Sequence, residues 1–375
     1  MQTSFKLEDL YNQVEPILKQ DLSSACMPAM SIEDLILIAP IEQQSHLREA
    51  ISKALFETKL SYSSQFGSEQ VRSKITQLYS HAPSPSSMLL TSGASEAIFL
   101  VMSTMFEAGD TIIVQQPIYQ SLYQIAQDRG VKVIDWDSSS LCYDTNKPKQ
   151  QGWCLSELEE LIKANPQSKA LVINNPNNPT GLAFKEDELK EISKLLEDRY
   201  LICDEVFLFI SQSQIPSAIN FHPNTIVISD LSKSFNMPGL RLGWIIERRP
   251  SSLRSGAIQN PLINKFSSLK NYLSLRTNSL AEALAPYVLE LAPELCARNR
   301  ALIKNNINIL YSQESEIFDL SQITKESIEG LCIFPRIKDE ALIDQLWDQE
   351  RVFVAKGGSF GERWTDHARI GLTNA

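Results

Sequence analysis

The chain has 375 residues, 43 % hydrophobic and 21 % charged, with a formal net charge of -10 at pH 7. That length suits one large domain and a smaller one. The acidic balance excludes the basic surface of a nucleic-acid-binding protein. Six cysteines without C-x-x-C spacing and four histidines without paired spacing exclude a disulfide frame and a zinc site, and fit reduced thiols in a cytoplasmic protein.

The first expected element is a helix over residues 7–19, too polar and too charged for a signal-peptide core. Residues 84–87 read as a loop, and the apolar run 98–102 is far too short to span a bilayer. No membrane partner is therefore expected. Short apolar runs at 111–114, 131–134, 170–173, 200–203 and 225–228 read as strands, with a loop at 146–150 and a helix at 186–196. Strands alternating with helices imply an α/β fold with a mostly parallel sheet covered on both faces. Beyond Trp244 the pattern changes to a helical stretch at 279–311, then strand-like pieces at 330–334 and 352–355. This predicts an N-terminal arm over 1–45, a large domain over 46–275 and a smaller α+β domain over 276–375. The N-terminal helix would join the small domain or cover the cleft.

The chemistry-bearing residues follow these strands. Lys233 lies between Ser232 and Ser234 in a segment of small and apolar residues, with Arg241 shortly after it. A charged amine is costly in such surroundings. A neutral amine attacks an aldehyde, and a nearby arginine clamps a phosphate. Pyridoxal 5'-phosphate presents both groups. Asn178 lies in an Asn/Pro-rich turn after one strand, and Asp204 ends the next. Loops at the carboxyl ends of parallel strands are where ligands bind in such sheets. Gly93, Ala94 and Ser95 open a helix, whose free N–H groups favour an anion. Each feature alone is also a plain turn, helix start or surface ion pair.

Together, their order resembles the fold-type I pyridoxal-phosphate enzymes of the class I/II aminotransferase superfamily, from about residue 62 to residue 369. By that resemblance, Lys233 carries the cofactor as a Schiff base and moves the Cα proton. Asp204 pairs with the pyridine nitrogen, Asn178 bonds the 3-oxygen, and Tyr119 stacks on the ring. Gly93, Ala94, Ser95, Ser232 and Arg241 hold the phosphate. Tyr62 reaches the phosphate of a neighbouring subunit, which implies a homodimer with shared active sites. Arg369 grips the α-carboxylate of a small amino-acid substrate.

Two residues depart from the superfamily pattern. Phe207 stands where a tyrosine usually bonds the 3-oxygen, which implies a raised Schiff-base pKa. Asp230 stands where a serine usually helps bind phosphate. A narrower resemblance is to the arginine-directed group, which includes capreomycidine- and enduracididine-forming cyclases and arginine oxidases. There an acidic N-terminal helix closes over the substrate, which assigns Glu8, with Asp9 as a rival, and Asp230 to a guanidinium. Residues 21–28 lack the glycine and histidine of that group. The expectation is a cyclodehydratase acting on hydroxyarginine. The other readings are an ordinary aminotransferase, an arginine oxidase and a pyridoxal-phosphate-binding regulatory domain.

Overall fold

The apolar runs of the middle of the chain pair into one seven-stranded sheet. Its strands are β1 (Met88–Thr91), β2 (Thr111–Gln116), β3 (Lys132–Asp137), β4 (Ala170–Asn174), β5 (Tyr200–Asp204), β6 (Thr225–Asp230) and β7 (Gly243–Glu247). Their order across the sheet is β1-β7-β6-β5-β4-β2-β3. Pairings among β2 to β6 are parallel, while β7 runs antiparallel to both β1 and β6. The computed structural model describes residues 3–80, 84–138, 142–143, 151–153, 155–248 and 261–373. The loop expected at 146–150 lies outside them.

Side chains alternate between two cores, as a pleated strand requires. Ile113, Leu171, Ile173 and Leu201 face a core shared with the helices Leu155–Ala164 and Glu186–Leu196. Ile112, Val114, Val172 and Ile202 face the larger core on the other side. Both faces are covered, which is why these strands read as continuous apolar runs.

Two expectations needed correction. The N-terminal helix α1 spans Lys6–Val14, not 7–19. Pro16 has no N–H to continue the ladder, and it ends the helix. Residues 84–87 hold one turn of 3-10 helix, Pro85–Ser87, within the expected loop.

α1 does not lie against the large sheet. Leu7 and Val14 pack on Phe334, Phe353, Phe360 and Trp364. Behind it, Gln20–Asp21 pairs in parallel with Val352–Phe353. A three-stranded antiparallel sheet completes this side, with Ala368–Gly371 between Cys332–Ile333 and Ala355–Lys356. α1 also reaches back across the cleft. Lys6 N–H donates to Gln120 Oε1 (2.9 Å), and Gln120 Nε2 donates to Ser4 O (2.8 Å). The N-terminal segment thus straps the C-terminal sheet to the large sheet. Among the described residues no helix is long and apolar enough to cross a membrane.

Candidate active site

The carboxyl ends of β4, β5 and β6 lie side by side, so Asn174, Asp204 and Asp230 end neighbouring strands. Asn174 pairs in register with Asp204. Above these ends lies a cavity of about 760 Å³, closed on its far side by α1. Lys233, Asp204, Asn178, Tyr119 and Phe207 all line it, as do Ser232, Arg241, Arg369, Asp230 and Glu8.

Asp204 is 4 % exposed, and Val206 N–H donates to its Oδ1 at 3.1 Å. Burial, reinforced by the Asp230 charge, pushes its carboxyl up to about 7. A buried carboxyl in that position calls for a cationic partner. Lys233 Nζ lies 2.5 Å from Cys26 Sγ, a thiol on the opposite wall that the sequence did not single out. Phe207 is 1 % exposed and offers the cavity a ring without a polar atom.

At one end of the cavity is an anion cradle. Helix α2 (Ala94–Thr104) begins there, and its N-cap, Gly93, has φ +81°. A Cβ at Gly93 would run into the Arg241 guanidinium, so glycine alone permits this close approach. Arg241 donates to Ser232 Oγ (3.5 Å) and to Ser92 O (3.4 Å). Asp230 sits in this cradle. Its Oδ2 accepts from Ala94 N–H (3.1 Å) and Ser232 Oγ (2.8 Å), and its Oδ1 accepts from Ser232 N–H (2.8 Å). The positive end of α2 favours a carboxylate there. These three bonds place Asp230 with the anion cradle, and they give no support to its expected contact with a substrate guanidinium.

At the other end, Arg369 is 4 % exposed. Its Nε donates to Ser23 O (2.8 Å), Nη1 to Asn178 Oδ1 (3.1 Å) and Nη2 to Tyr11 OH (3.0 Å). Asn178 is itself fixed by its N–H on Asn174 Oδ1 at 2.6 Å. Tyr119 donates its hydroxyl to Glu8 Oε1 at 2.6 Å, tying the expected stacking ring to α1. Between the two candidates on α1, Glu8 lines the cavity, while Asp9 accepts from the Ser4 hydroxyl. Tyr62 is 80 % exposed and does not line the cavity of a single chain.

Sequence reasoning missed Tyr11, Glu15, Ser23 and Cys26, all of which lie at this site. A usable signal existed for the first two. Glu8, Tyr11 and Glu15 recur at helical spacing along one face.

The arrangement suits pyridoxal phosphate. A buried carboxyl with a raised pKa awaits a cation, an amine lies in the cavity, and Gly93 lets the Arg241 guanidinium close on the N-terminus of α2, where an anion is favoured. Comparison with known proteins agrees. An aspartate aminotransferase of Pyrococcus horikoshii is 25 % identical over 369 residues, covering 91 % of this chain and 87 % of its own. A PLP-dependent aminotransferase from Streptococcus suis superposes with a TM-score of 0.83 at 24 % identity, over 99 % of this chain and 93 % of its own. The PLP-dependent cyclase OrfR does so with a TM-score of 0.81 at 22 % identity, over 100 % and 94 %. At such identities the two structures establish the fold. Residues 40–375 match the family model for aminotransferase class I and II. The chain belongs to that family and is a pyridoxal-phosphate-dependent enzyme.

Proposed function

We propose that the substrate is an α-amino acid with a guanidino side chain. We further propose that the reaction removes water from a hydroxylated arginine and closes a ring through a guanidine nitrogen. Charge placement carries this reading. Among the described residues lining the cavity, the cations are Lys233, Arg241 and Arg369. The cofactor and the α-carboxylate would occupy all three. Glu8 and Glu15 remain on the α1 wall. A cationic side chain is attracted there, and the second carboxylate of a dicarboxylic 2-oxo acid is repelled. A reaction that leaves the amine on Cα needs no such acceptor.

When bound, pyridoxal phosphate supplies the electron sink that makes the Cα proton removable. Lys233 would take that proton and later return it. Asp204 would face the pyridine nitrogen. Asn178 would turn its Nδ2 to the 3-oxygen while its Oδ1 stays on Arg369. Arg369 would hold the α-carboxylate, and Glu8 and Glu15 would hold the guanidinium close to the side-chain carbon, an entropic advantage. One C–O bond breaks and one C–N bond forms. The hydroxyl leaves with the proton released by the guanidine nitrogen, as one water. No oxidant or reductant is consumed. The homodimer also remains a proposal. Tyr62, together with Phe56 and Leu60 (89 % and 79 % exposed), would meet the second subunit.

Transamination is the second reading, favoured by relatives that are named aminotransferases. Mass spectrometry decides between them. The holoenzyme is incubated with arginine, 3-hydroxyarginine or 4-hydroxyarginine, with and without a 2-oxo acid. Loss of one water from a hydroxyarginine, with the amine retained and no 2-oxo acid added, is the expected result. A keto-acid product that needs the acceptor makes the enzyme an aminotransferase. Oxygen consumption with arginine alone makes it an oxidase.

A further inference from the structure

We propose that Tyr11 is a positioning residue that completes the α-carboxylate site by fixing Arg369 from the N-terminal helix. The inference rests on the reading of Arg369 as the carboxylate-binding group.

A guanidinium carries five N–H donors. In Arg369, Nε–H is taken by Ser23 O, one Nη1–H by Asn178 Oδ1 and one Nη2–H by the Tyr11 hydroxyl. One N–H is left on each terminal nitrogen. A carboxylate accepts a parallel pair of that kind. Arg369 is 4 % exposed and lines the cavity, and a charge buried to that degree favours an anionic partner.

Of the three partners, Tyr11 alone comes from α1. Its hydroxyl is hydrogen-bonded to Asp21 as well as to Arg369. Asp21 is held in turn by Ser23 N–H, which donates to its Oδ1 at 2.7 Å. The Tyr11 ring packs edge-on against Phe353 with centroids 5.2 Å apart, so the hydroxyl does not wander. Burial raises the phenol pKa, which keeps the hydroxyl protonated as a donor to Asp21. Without that hydroxyl, Nη2 keeps two uncommitted N–H groups and the guanidinium loses one of its three anchors. Glu8 lies one helical turn before Tyr11 on the same wall. One helix would then sense both ends of the substrate, the carboxylate through Tyr11 and the side chain through Glu8.

The test compares L-arginine with agmatine, which has the same amine and guanidine but no carboxylate. Each is titrated into holoenzyme without oxygen or 2-oxo acid, and binding is read from the cofactor's visible spectrum. Tyr11→Phe keeps the ring packing and removes the hydroxyl. It is expected to weaken arginine about tenfold and agmatine less than about twofold. Asp21→Asn provides a second variant, expected to weaken arginine about threefold with agmatine unchanged. Equal losses for both ligands, or no loss for arginine, would overturn the role of Tyr11. Arg369→Gln is the reference. If it discriminates between the two ligands and Tyr11→Phe does not, the carboxylate site stands and the Tyr11 inference falls. If Arg369→Gln fails to discriminate, the carboxylate reading falls, and the inference with it.

Discussion

The two walls of the cavity are built in opposite ways. The cofactor wall uses strand ends of one sheet. Asn174, Asp204 and Asp230 each close a buried strand, and Lys233 and Arg241 follow at once. The α1 wall is assembled across the whole chain, with Arg369 held by Tyr11 and Ser23. A wall made of strand ends serves any reaction of the cofactor. A wall made of a separate helix can change its side chains without disturbing the sheet. The first wall should therefore carry the chemistry and the second the choice of substrate.

The largest expected effect tests the first half of that contrast. Lys233→Ala should remove the Schiff-base absorbance of the bound cofactor and lower kcat on the order of 10³-fold. Persistence of the absorbance band would end the assignment. The second half is tested by Glu8→Gln. It should raise KM about tenfold for guanidino substrates and change neutral amino acids less than about twofold. A parallel rise for both classes would mean that α1 closes the cavity without reading the side chain.

A smaller effect isolates the cofactor wall in the cofactor-free protein. Asp204 has its pKa raised from 3.8 to about 7 by burial. The folded chain then binds this proton more tightly than the unfolded chain does. Its burial costs least below about pH 4, and the cost grows as pH climbs towards 7. Asp204→Asn removes that dependence. In thermal melts its stability relative to wild type should rise by about 2 kcal/mol between pH 5 and pH 8. Glu205, raised to about 8, keeps its own slope of the same sign in both proteins. A pH-independent difference would show that Asp204 is not buried as a neutral acid. Added pyridoxal phosphate should shrink the difference, because its pyridine nitrogen offers the missing cation.

The same contrast explains what could be read from residues alone. Strand ends followed by polar residues are local signals, so Asn178, Asp204 and Lys233 were legible, as was the parallel sheet. β1 and β7 were not. Their apolar runs, residues 88–90 and 244–246, are three residues long, too short to be read as buried strands. Asp230 was noticed as a departure, but its partner was not foreseen. A sequence does not show that the N-terminus of α2 will meet the end of β6. Ser23 acts through its backbone oxygen, which no side chain announces. Tyr11 was hidden for a different reason. Its spacing from Glu8 marks a shared face, yet nothing local says that Arg369 will come to lie beside it.

Residues 20–24 are stitched to the last two strands. Leu22 O accepts from Gly371 N–H (2.7 Å), and Ser23 and Arg369 are separated by 346 residues. During synthesis this early segment must wait for its partners until the 346-residue stretch from Ser23 to Arg369 has been made. The large sheet, by contrast, is complete once β7 has emerged. A nascent chain could thus hold a finished cofactor wall while its substrate wall has yet to form, and competence to select a substrate would arrive later, when residues 20–24 meet the strand that carries Arg369.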